Sequence, residues 1–69
     1  MLIMGQNDGI IFDLGNATLR MRIGSGGAWL DANSHTVAHF ETKERAGEVM
    51  RDLWKTAKTG ADFYELPGA

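Results

Sequence analysis

The sequence predicts an α+β domain: an antiparallel β-meander of about five short strands packed on one amphipathic α-helix, with a short C-terminal strand. Three observations predict it. Short apolar runs punctuated by Gly, Asn and Asp fill residues 1–40. Residues 43–58 then repeat apolar side chains at helical spacing. An aromatic segment, Phe63-Tyr64, follows the helix and stops at Pro67.

Leu2 to Met4 forms the first expected strand, and Gly5-Gln6-Asn7-Asp8-Gly9 a turn rich in residues that tolerate positive φ. Ile10 to Leu14 is the second strand, with Ile10, Phe12 and Leu14 on one side and Ile11 and Asp13 on the other. Gly15-Asn16 turns the chain. From Ala17 to Ile23 the alternation is clearest: Leu19, Met21 and Ile23 interleave with Thr18, Arg20 and Arg22, the period of a half-buried strand. Gly24-Ser25-Gly26-Gly27 breaks that strand. Ala28 to Asp31 and His35 to Phe40 follow as further strands, joined by Asn33-Ser34.

The helix is expected from Lys43 to Lys58. Ala46, Val49, Met50, Leu53, Trp54 and Ala57 fall on one stripe, with Trp54 expected in the core. Thr42 is its N-cap, and Gly60 a left-handed residue just past its end. Glu44 in the first turn and Lys55 and Lys58 in the last suit the helix dipole. Arg45 stands where a capping box would place Glu or Gln, so that motif is incomplete. Asp62 to Leu66 is a last strand, free by pattern to pair within the chain by a crossover or with a second subunit. Leu19, Met21 and Ile23, with Ile10, Phe12 and Leu14, are the expected sheet face for the helix.

With 69 residues, residues 1–69 make a single domain. A domain of this size buries a modest fraction of its surface and usually needs a staple. With no Cys and two His, neither a disulfide nor a structural zinc is expected, and a homo-oligomer is. The apolar start Met1-Leu2-Ile3-Met4 is too short for a signal peptide and no run approaches a membrane span, so a cytoplasmic protein is expected. Net charge of −2 argues against broad nucleic-acid binding.

If one sheet face packs on the helix, the other gathers Ile11, Asp13, Arg20, Arg22, Trp29 and Asp31. His35, Val37 and His39 join them if Phe40 points inward. Arg forks hold phosphate and Trp stacks on a base, so Arg20, Arg22, Trp29 and His39 are the candidate ligand-binding residues. The plainer reading makes both Arg ordinary solvent positions and Trp29 the cover of a core edge.

No catalytic or metal site is expected, and no cofactor. Gly24-Ser25-Gly26-Gly27 lacks the Gly-Lys-Ser/Thr of a P-loop and reads as a hairpin turn. On a strand, His35 and His39 stand roughly 13 Å apart, too far to share a metal. A His39 pair with Asp13 or Asp31 could serve acid–base chemistry, but no nucleophile stands in a motif. The aromatic tail Phe63, Tyr64 and Leu66 is a candidate intersubunit contact.

The layout also resembles small α+β proteins encoded by phages and prophages. The residues that carry the resemblance are the helix start Glu41-Thr42-Lys43-Glu44-Arg45-Ala46 and the tail Phe63-Tyr64-Glu65-Leu66-Pro67. The resemblance implies an inhibitor of host defence, and carries over no functional residue. Two functions follow as expectations. One is a non-enzymatic homo-oligomer that sequesters an anionic, nucleotide-like small molecule; the other is a protein–protein interaction module that blocks a host protein.

Overall fold

The computed structural model describes residues 1–6 and 9–68, so Asn7 and Asp8 of the expected first turn lie outside the described residues. The strands are β1 (Leu2–Met4), β2 (Ile11–Asp13), β3 (Leu19–Gly24), β4 (Gly27–Ala32), β5 (His35–Phe40) and β6 (Phe63–Glu65), with the helix α1 (Lys43–Lys58) before β6. The α+β class is as the pattern predicts, with strands on one helix and a C-terminal strand. The strands divide into two sheets, ordered β2-β1-β6 and β3-β4-β5.

The β3-β4-β5 sheet is an antiparallel meander set by its turns. Gly24 faces Gly27 across a two-residue loop. Gly27 has φ +120, and a Cβ there would collide with the Phe40 carbonyl, so only glycine fits. Asn33 takes φ 55 in the next turn, a conformation Asn tolerates. Its side-chain oxygen accepts from the Thr18 amide at 3.1 Å, tying the turn to the start of β3.

Helix α1 lies on one face of this sheet, touching β3, β4 and β5. Thr42 caps it as expected, its hydroxyl accepting from the Arg45 amide at 3.1 Å. Gly60 follows the helix with φ 79, and its amide donates to the Ala57 carbonyl at 3.1 Å. Ala46, Val49 and Leu53 of the stripe are buried against Ala28, Leu30 and Ala32 of β4 and Val37, Ala38 and Phe40 of β5.

Trp54 is not core: 61% of it is exposed, with the Lys58 ammonium 4.3 Å above its ring. The apolar stripe is wider than the three-stranded sheet beneath it. Trp54 shares a helix flank with Gly47 and Met50, and Gly47 faces Met21 on β3, the outer strand. An amphipathic cation–ring contact covers what the sheet does not. Ile23 is likewise 61% exposed rather than under the helix. It pairs through Ala28 with Phe40, which places it at the helix entry, before the first buried helix residue Ala46.

The second sheet joins the two ends of the chain. β1 pairs β2 antiparallel and β6 parallel, with Leu2 opposite Asp13 on one side and Phe63 on the other. The C-terminal segment thus pairs within the chain. The expected strand Ile10 to Leu14 is shorter, because Asp13 caps a 3-10 turn over Leu14–Asn16 by accepting from the Gly15 amide at 2.9 Å. Phe12 and Leu14 pack on the core, while Ile10 is exposed. Ile3 of β1 and Leu66, just past β6, are what this part of the chain adds to the fully buried core.

Candidate functional site

The open face of β3-β4-β5 brings three of the four predicted residues into one stack. Register places Arg22 opposite Trp29 and Trp29 opposite His39. The Arg22 guanidinium carbon stands 4.9 Å from the centre of the Trp29 ring. The Trp29 and His39 ring centres are 4.9 Å apart, tilted by 43°. The indole lies over Gly24 and Gly26, where an added Cβ would come within 3.0 and 3.2 Å of its carbons. The glycine-rich turn is therefore the bed of Trp29.

Arg22, Asp31 and the Nε2 of His39 each already have a partner within the site. Arg22 Nε donates to Asp31 Oδ2 at 3.0 Å, and Thr36 Oγ1 donates to Asp31 Oδ1 at 3.0 Å. The Arg22 hydrogen bond holds the Asp31 carboxyl below the ordinary carboxylate range, against a smaller opposing effect of burial. His39 Nε2 lies 2.7 Å from the Gly26 carbonyl oxygen, which only accepts, so that nitrogen carries a proton. Arg20 stands across from Asp31 at the edge of the sheet, exposed, with that carboxylate already engaged by Arg22.

His35 does not share this face with His39. Leu30 faces Ala38 and Asp31 faces Thr36, so Val37 is an extra residue, a β-bulge. The bulge resets the alternation, putting Thr36 beside Asp31 and His35 opposite the core residue Ala32. Asp13 and Ile11 also leave the set, because β2 belongs to the other sheet.

Gln6 was not legible as a structural residue, yet its amide holds the back of His39. Gln6 Oε1 accepts from the His39 amide at 2.7 Å, and Nε2 donates to the carbonyls of His39 and Pro67, each at 3.0 Å. A second surface was also missed. The outer face of β2-β1-β6 exposes Leu2, Ile11 and Phe63, the last at 73%. With Met4 they line a shallow depression of about 480 Å³. The available signal was Met1 to Met4 and Ile10-Ile11-Phe12, apolar without alternation, as in strands apolar on both faces.

Between β6 and α1 runs a groove lined by Arg45, Glu48, Asp52 and Glu65 among others. Tyr64 crosses it, its hydroxyl donating to Asp52 Oδ2 at 2.7 Å. Burial first, and then this hydrogen bond, push the Tyr64 hydroxyl up to about 12.

Comparison with protein-family models, curated proteins and solved structures gave no match. No helix among the described residues is long and apolar enough to cross a membrane.

Proposed function

We propose that this chain is a non-enzymatic protein–protein interaction module that recognises its partner on the Arg22–Trp29–His39 face. What supports the reading is that the stack is built in advance. The Trp29 ring is bedded on glycines, with Arg22 on one neighbouring strand and His39 on the other already in contact with it. The Arg22 fork is occupied by Asp31. Trp and Arg are among the side chains that dominate the energetics of protein interfaces. The resemblance to phage and prophage proteins supplies a context in which the partner is a host protein.

Arg20 favours a second reading. Exposed beside Arg22, with Asp31 already engaged, it offers a positive charge to an anionic ligand. In that reading a homo-oligomer holds a nucleotide-like molecule at Arg20, Arg22, Trp29 and His39.

The two readings separate in one experiment. Immobilised protein is exposed to bacterial lysate beside a Trp29→Ala variant, and the free protein is heated with a panel of nucleotides. The first reading expects a captured protein whose affinity falls at least about 30-fold with Trp29→Ala, the loss typical of an interface hot spot, and no thermal shift. A nucleotide that raises the melting temperature, with the rise abolished by Arg20→Ala, would establish the second reading and remove the first.

A further inference from the structure

We infer that this chain assembles head to tail with copies of itself, the β3 edge of one copy adding to the β6 edge of the next. The inference does not depend on what the Arg22–Trp29 face binds. Each sheet ends in an exposed strand: β3 and β5 flank one, β2 and β6 the other. Gln6 covers part of β5. An uncovered edge offers unpaired backbone groups to another strand.

The β3 and β6 edges differ in charge. β3 reads Leu19-Arg20-Met21-Arg22-Ile23, cationic at alternate positions. Beside β6, the groove against α1 carries Glu48, Asp52 and Glu65 against one cation, Arg45, among the described residues. Arg45 reaches Glu48 only at 3.9 Å, and Tyr64 occupies one oxygen of Asp52.

One register satisfies both faces of the added strand. With Arg20 on the Tyr64 side, its guanidinium enters the groove toward Glu48 and Asp52, while Arg22 keeps its bond to Asp31. The opposite side of the same strand then sets Ile23 against Phe63, two of the most exposed apolar side chains of the molecule. The two edges are different surfaces, so the contact is heterologous and closes into a ring or extends as a filament. Charge on an edge strand ordinarily discourages pairing, but opposite charges on the two edges of one chain favour head-to-tail contact over head-to-head.

Sedimentation equilibrium of the whole chain tests this. The wild type is expected to exceed the 7.6 kDa of one chain at low salt and to move toward that mass at about 1 M salt, where screening shortens to about 3 Å. Arg20→Glu and Glu48→Lys, both at exposed positions, are each expected to give single chains. The double variant, with the charges exchanged, is expected to regain the assembly. A wild type that stays a single chain into the millimolar range overturns the inference. So does an assembly indifferent to Arg20→Glu, or a double variant that remains a single chain. None of these results alters what the Trp29→Ala capture reads.

Discussion

Gln6 acts where two sheets meet. Its amide behaves as a short piece of strand, accepting from and donating to the backbone of His39 while a second N–H reaches Pro67. Gln6→Ala leaves those half-buried backbone groups without partners, and urea denaturation should report a loss of about 1–3 kcal/mol. A loss no larger than that of an ordinary surface substitution would show that water replaces the amide. Tyr64 supplies a pH dependence. Its hydroxyl is raised to about 12 from an ordinary value near 10, so the folded chain holds that proton more tightly than the unfolded one. The associated stability is complete below pH 10 and disappears as pH rises toward 12. Denaturation across that window should show the loss in the wild type and a flatter profile in Tyr64→Phe. Neither residue announces itself in the sequence: a lone Gln in a turn and a Tyr after a helix have no periodicity to mark their partners.

At the scale of elements, the helix was the most legible part. Its cap, its end and the inward positions Ala46, Val49 and Leu53 follow directly from spacing and from Thr42 and Gly60. The stripe's width was not legible, because spacing does not say how broad the sheet beneath will be. Leu53→Ala should therefore cost about 2–5 kcal/mol. Trp54→Ala should cost much less, since most of the ring is in water. Equal losses in thermal denaturation would mean that Trp54 has a cover the monomer lacks. The strands were legible by alternation where one face is wet, as in β3. They were not where a bulge intervenes: Val37 shifts His35 off the His39 face, and an inserted residue leaves no mark in a run such as His35-Thr36-Val37-Ala38-His39. Of the candidate site, the Arg22–Trp29–His39 alignment follows from alternation and the turn at Gly24–Gly27. Its satisfaction by Asp31, Thr36 and Gly26 depends on register, which only the folded chain fixes.

For the whole molecule, the division into two sheets is the main departure from a single meander. The fully buried core lies almost entirely between β4, β5 and α1, and the outer face of β2-β1-β6 exposes Leu2, Ile11 and Phe63. Opening should begin in the thinner sheet. In amide exchange, Ala28, Leu30 and Ala38 are expected to be the slowest strand positions and Ile11 and Phe63 among the fastest; the reverse order would mean that an assembly protects the outer face. The parallel pair β1–β6 also has a mechanical meaning. Its strands run side by side in the same direction, one at each end of the chain. A pull on Met1 against a pull on Pro67 slides the two strands past each other, so the ladder resists in shear and its bonds share the force. A peeling pull would instead break them one after another. The short, open sheet that contributes least to burial is thus the one placed to oppose tension along the polypeptide.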